Sequence, residues 1–214
     1  MKYYDIHTHK PSIHPEDIAI VNIIVKEDDI VNCQLPTVNS IGVHPWYINN
    51  PKKQLEQLHS LASNPQIVAI GEAGLDKLTE TPLSTQEEVF IAQAKLAEEI
   101  RKPLIIHCVK AWPELIAARK DISPKTPWVI HGFRGNEILA EQLIHQGFLL
   151  SFGEKFNPDA LQKAWPSSIL TETDDSEIDI RTIYNQLSSA LNIPLNKFSE
   201  QIEENTNRIF GLTK

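Results

Sequence analysis

The sequence predicts an α/β fold of the (β/α)8 TIM-barrel class, compact and somewhat trimmed, with its working face at the C-terminal ends of the strands. Three observations predict it. Strand-like apolar runs alternate with helical patterns eight times in 214 residues, as expected of βα units wound around a parallel sheet. Runs such as Ile67-Val-Ala-Ile70 are apolar throughout rather than alternating with polar residues, which marks strands covered on both faces. Finally, run after run stops on a residue that can bind a metal ion or move a proton.

The first strand is Tyr3 to His9, and His7 and His9, two residues apart, point to one face of it. Lys10-Pro11 breaks it, and Ile18 to Lys26 is the second strand. Residues 28–38 are a short piece, and Ser40 to His44 is a third strand stopped by Pro45. Pro51 to Ser63 carries Leu55, Leu58, Leu61 and Ala62 at helical spacing, with proline at the start and His59 on the surface.

The fourth strand, Ile67 to Asp76, ends in Gly71-Glu72-Ala-Gly74-Leu-Asp76. A helix follows from Ser84 to about Arg101, with acids in its first turn. Pro103 to Cys108 is a strand ending in His107, and Ala111 to Lys120 a helix with Pro113 in its first turn. Pro127 to Gly132 is a strand ending in His131, and Asn136 to His145 a helix closed by Gly147. Phe148 to Gly153 and Ser168 to Asp174 are the last strands, separated by a short helix at Asp159 to Ala164. Helices at roughly 177–191 and 196–210 finish the chain.

The chain is shorter than the usual barrel of ~250 residues, so some connections are reduced, and the first two units have only loops or turns. A doubly wound open sheet is the alternative, but no glycine-rich dinucleotide fingerprint follows the first strand. With no repeat, low-complexity tract or charge block to mark a linker, residues 1–214 read as a single domain.

Composition narrows the function classes. A hydrophobic content of 41% and a charged content of 22% suit a soluble globular protein. No stretch has the length of a membrane span and no signal-peptide pattern opens the chain, so the expectation is a cytoplasmic protein without a membrane partner. Cys33 and Cys108 make no disulfide framework. A net charge of −8 argues against a broad basic surface for nucleic acid and leaves room for a local phosphate site.

In a barrel, His7, His9, His44, Glu72, His107, His131 and Asp174 all fall at the face where barrel active sites assemble. Singly, each has an ordinary explanation: a capping or loop residue for His44, core-edge histidines for His107 and His131, a helix cap for Asp174, an ion pair for Glu72. Jointly, they point to a metal centre. Imidazoles and carboxylates suit Zn, Mn, Ni or Fe, and added water would admit Mg.

The motifs Asp5-Ile-His7-Thr-His9, Gly42-Val-His44-Pro45, Gly71-Glu72-Ala-Gly74-Leu-Asp76, Pro103 to His107, His131-Gly-Phe-Arg-Gly135, Glu172-Thr-Asp174 and Glu204 to Gly211 occur in that order. Together they resemble the TatD family of metal-dependent hydrolases, within the amidohydrolase-type barrels. The resemblance implies two divalent ions, Mg, Mn or Zn. His7, His9, Glu72 and Asp174 would hold one, and Glu72, His107 and His131 the other, with Glu72 bridging.

The same resemblance gives His44 a role near the substrate and implies DNA or another phosphodiester as the partner. Two ions ~3.5–4 Å apart can share a carboxylate, activate water at neutral pH and clamp a phosphodiester on both sides. Asp174 is the candidate general base. Glu172, on the same strand face, is a candidate for orienting a ligand histidine. Lys10, Lys77, Lys110, Arg134 and Lys155 could form a phosphate-attracting rim. Trp112, Phe133 and Phe156 could stack on bases, although core roles suit them better, and Cys108 reads as a buried, inert thiol.

Val109 stands where the family usually has arginine, Lys77 where it has an aromatic, and Asp175-Ser176 where it has Ala-Pro. These differences bear on substrate rather than on metal. The leading reading is therefore a TatD-type deoxyribonuclease. The alternatives are a two-metal hydrolase of an ester or amide, such as an aminoacyl-tRNA link, and a metal-binding protein without turnover.

Overall fold

In a computed structural model, residues 1–27 and 38–212 are described. Cys33 and most of the expected short segment at 28–38 lie outside them. Eight strands run β1 (Tyr4–Thr8), β2 (Ile18–Ile24), β3 (Asn39–Gly42), β4 (Ile67–Asp76), β5 (Leu104–Val109), β6 (Trp128–Ile130), β7 (Phe148–Phe152) and β8 (Ile169–Thr171). They form one sheet in sequence order. The helices are α1 (Pro51–Leu61), α2 (Leu83–Ile100), α3 (Trp112–Ile122), α4 (Glu137–His145), α5 (Pro158–Ala164), α6 (Ile180–Ala190) and α7 (Leu195–Phe210). Strands and helices in this order make the topology of a (β/α)8 barrel. No helix separates β1 from β2, where the sequence predicts a reduced connection.

The chain divides into two compact units, residues 1–21 with 129–214, and residues 22–128. In the first unit, β1 pairs in parallel with the start of β2, Tyr4 opposite Ile18. It also meets the end of β8, where the Asp174 N–H donates to the His7 carbonyl at 2.9 Å. Helices α6 and α7 pack over it through Tyr184 and Phe198, whose rings meet edge-on at 5.3 Å. The buried Tyr184 hydroxyl accepts from the Tyr4 N–H at 2.9 Å, tying α6 to the strand that carries His7. Helix α6 starts at Ile180 rather than near 177, because the Asp179 side chain caps it by accepting from the Arg181 N–H.

In the second unit, β4 lies between β3 and β5. Its apolar residues Ile70, Ala73 and Leu75 are fully buried, together with Leu104, Ile105 and Ile106 of β5. Helix α2 covers this layer with Val89, Phe90, Ala94 and Ala97. Gly74 faces His107 across the β4–β5 pairing, and a Cβ at Gly74 would lie 1.8 Å from the His107 carbonyl oxygen. Only glycine admits so close a backbone approach, and it sets the height at which His107 stands.

Candidate metal centre

Each unit gathers one cluster of ligand-type side chains at its strand ends. In the first unit, His7, His131 and Asp174 offer donor atoms within 4.8 Å of one another. Asp174 Oδ1 lies 3.7 Å from Nε2 of His7 and 3.5 Å from Nε2 of His9. The backbone explains the placement. Asp174 follows β8 with φ +56°, a left-handed conformation that aspartate tolerates better than most residues. Its N–H donates to His7 and its carbonyl accepts from the His9 N–H at 3.3 Å, so the carboxylate is pinned between the two histidines.

Behind these groups, Glu172 is fully buried and accepts from the Gly132 N–H at 2.6 Å. Its Oε1 is 3.5 Å from Nδ1 of His131. Asp5, also buried, accepts from both the N–H and the hydroxyl of Thr173, at 3.0 and 2.6 Å. Burial pushes its carboxyl up to about 7, against the opposing pull of the Thr173 bonds.

In the second unit, His44, Glu72 and His107 form the cluster. Glu72 Oε1 lies 3.1 Å from Nε2 of His44 and 2.9 Å from Nδ1 of His107. Asn22 holds Glu72 from behind, donating to Oε2 at 3.3 Å and accepting from the Glu72 N–H at 2.9 Å. His107 Nε2 is 3.0 Å from Oδ2 of the buried Asp76. Burial alone would raise the Asp76 carboxyl, but hydrogen bonds from Trp46, His107 and the Leu78 N–H hold it below the usual range. As an ionised acceptor it holds the Nε2 side of the His107 ring, which turns Nδ1 toward Glu72 Oε1.

Nδ1 of His107 and Oε1 of Glu72, 2.9 Å apart, are spaced both as a hydrogen-bonded pair and as two ligands of one ion. Ligands of one ion at ~2.0–2.2 Å stand roughly 3–3.5 Å apart, so this donor set suits a divalent metal. His44 differs. Its Nδ1 accepts from the Trp46 N–H at 3.1 Å, so its Nε2 carries the proton and donates to Glu72. His44 therefore offers an N–H rather than a lone pair.

The sequence model of the family described as TatD related DNase matches residues 29–211. The chain belongs to that family. It is 30% identical over 146 residues to the uncharacterized metal-dependent hydrolase YabD of Bacillus subtilis (strain 168), covering 67% of this chain and 56% of that protein. It is 34% identical over 122 residues to the 3'-5' ssDNA/RNA exonuclease TatD of Pectobacterium atrosepticum, covering 52% of this chain and 44% of that protein. The chain thus spans about half the length of the curated relatives it matches. Its fold is that of YJJV, the TatD homolog of Escherichia coli K12, with a TM-score of 0.84 at 21% identity over 99% of this chain and 98% of that one.

Within this TatD fold, several residues that hold the site went unpredicted. Asp76 and Asn22 fix His107 and Glu72. Two buried glutamines on α2, seven residues apart and so on one helix face, clamp backbone at two strand ends. Gln93 bonds both the N–H and the carbonyl of Val43, at 2.7 and 3.0 Å. Gln86 does the same for Asp76, also at 2.7 and 3.0 Å. Polar residues inside apolar patterns, such as Asn22 in Ile18-Ala-Ile-Val-Asn-Ile-Ile24, were the available signal.

Phe133 is buried edge-on against Phe152, in keeping with the core role that suits it better, and Trp112 and Phe156 are half-buried. Lys10 and Lys77 are ion-paired with Glu177 and Glu114, which removes them from a free cationic rim. Lys110, Arg134 and Lys155 have no ion pair among the described residues. Cys108 is half-buried rather than buried, and desolvation pushes its thiol up to about 12, in keeping with an inert thiol. No helix of the described residues is long and apolar enough to cross a membrane.

Proposed function

We propose that this protein is a metal-dependent hydrolase that cleaves phosphodiester bonds in single-stranded nucleic acid, as a deoxyribonuclease of the TatD type. The observation that carries the proposal is the 2.9 Å approach of His107 Nδ1 to Glu72 Oε1, with Asp76 holding the other ring nitrogen. An imidazole and a carboxylate so placed support a reading as two ligands of a divalent ion. In the other unit, His7, His9, His131 and Asp174 supply a second donor set. Two divalent ions, Mg, Mn or Zn, are the cofactors that these sets suit.

Bound divalent ions supply Lewis acidity and a nucleophile at neutral pH. The chain's own residues do the rest. Asp174, held in its left-handed turn beside His7 and His9, takes up the proton released by the attacking water. His44, whose Nε2–H donates to Glu72 Oε1 at 3.1 Å, orients that carboxylate beside the substrate. Arg134 and Lys155 line a small cavity together with Asp174, suited to an adjoining phosphate. The exonuclease named among the relatives supports nucleic acid as the substrate class.

A second reading keeps the centre and changes the bond to an ester or amide. It is favoured by Val109, an apolar residue two positions past His107, and by the pairing of Lys10 and Lys77. The test is incubation of end-labelled single-stranded DNA with protein loaded with Mg, Mn or Zn, beside Glu72→Gln and Asp174→Asn. Metal-dependent shortening lost in both variants is the expected result. Intact DNA with about two ions bound per chain would overturn the nuclease and favour the ester or amide reading.

A further inference from the structure

Trp46 is 56% exposed, yet it is not a loose surface side chain. Its indole N–H donates to Oδ2 of Asp76 at 2.6 Å, and Asp76 is itself only 2% exposed. The same oxygen holds His107 Nε2, while Oδ1 accepts from the N–H of Leu78, whose side chain is 67% exposed. One buried carboxylate thus tethers a ligand histidine and two residues with large apolar side chains in water. The indole meets the rings of His44 and His107 nearly at right angles, with centroids 5.0 and 5.8 Å away.

A tryptophan usually hides its ring and leaves its N–H near water. Trp46 does the opposite. Its polar edge is turned inward and anchored, and more than half of the side chain faces solvent beside the two histidines. An aromatic ring immobilised before the ligand arrives loses little freedom on binding, and its face suits a flat, sequence-independent partner such as a nucleobase.

We propose that Trp46 is the base-stacking residue of this site, taking the unpaired nucleobase next to the phosphodiester held at His44, Glu72 and His107. The proposal rests on the nucleic-acid reading above and sharpens it. A base within a duplex has both faces covered, so a stacking Trp46 selects single strands or frayed ends. The surface aromatic, rather than Trp112, Phe133 or Phe156, then provides the platform.

The test compares a thymidine dinucleotide with an abasic dinucleotide that carries tetrahydrofuran in place of one base. Both are hydrolysed by metal-loaded wild type, Trp46→Phe and Trp46→Leu, and binding of a thymidine and an abasic decamer is followed by fluorescence anisotropy. The expected result is a KM for the abasic substrate about tenfold above that for thymidine in wild type. Trp46→Phe, which keeps a ring but loses the bond to Asp76, retains most of that ratio, and Trp46→Leu collapses it toward one.

Equal KM values in wild type, or a ratio lowered alike by Phe and Leu, would overturn stacking and leave Trp46 acting only through Asp76, with the nuclease intact. Hydrolysis of neither dinucleotide would sink the nuclease instead. In that case a preference for the thymidine decamer that Trp46→Leu abolishes would still support stacking, and equal binding of both decamers would end it.

Discussion

Oδ2 of Asp76 stands 3.0 Å from Nε2 of His107, on the ring edge opposite the Nδ1 that meets Glu72. A neutral imidazole has two tautomers, and only one turns a lone pair toward Glu72. The Asp76 carboxylate is in turn set by α2, because Gln86 holds both backbone polar groups of Asp76. A helix on the outside thereby sets the carboxylate against which the His107 ring is turned.

Asp76→Asn should weaken divalent metal binding about 10- to 100-fold, the range found when partners of ligating histidines are altered. The amide keeps the shape but offers one acceptor where Trp46, His107 and Leu78 bring three donors. Metal titration by calorimetry is the check, and unchanged affinity would show that Asp76 does not hold His107 for a metal.

Gln93→Leu should cost roughly 1–3 kcal/mol for each backbone group it leaves unpaired, since the Val43 N–H and carbonyl lose their buried partner. Urea unfolding measures the loss. His44 follows Val43 directly, so the variant should also lower turnover by more than its fraction unfolded explains.

Gly74→Ala should destabilise the chain by at least the upper end of the ~1–3 kcal/mol seen for overpacked cores, because the new methyl would meet the His107 carbonyl oxygen at 1.8 Å. A midpoint in urea close to that of wild type would refute the tight β4–β5 approach.

Metal should stabilise the fold. A ligand that binds only the folded chain adds about 2.7 kcal/mol at a concentration 100 times its Kd. Addition of Zn or Mn should therefore raise Tm by several degrees and a chelator should reverse the rise. His7→Ala combined with His107→Ala should abolish it, and a Tm indifferent to metal in wild type would count against both clusters as metal sites.

Much of the fold was legible from the chain alone, because buried parallel strands need continuous apolar runs and helices need their own spacing. Ile67–Asp76 was readable as strand from end to end. Other ends moved. The strands before His44, His131 and Asp174 stop at Gly42, Ile130 and Thr171, so these ligand-type residues stand just past the sheet, on backbone bent by local contacts. Asp174 in its left-handed turn is the plainest case, since φ is set by the bonds to His7 and His9 rather than by the residues on either side.

The sequence by itself placed His7, His9, His44, Glu72, His107, His131 and Asp174 within or just after strand-forming runs, and that is a local property. Only the tertiary structure decided what those side chains face. Asp76 meets His107 through the β4–β5 register, Trp46 and His107 share one oxygen of Asp76, and Lys10 and Lys77 spend their charge on Glu177 and Glu114. Hydrogen-bond direction, tautomer and charge pairing depend on groups brought within about 3 Å by packing, and no periodicity along the chain encodes them.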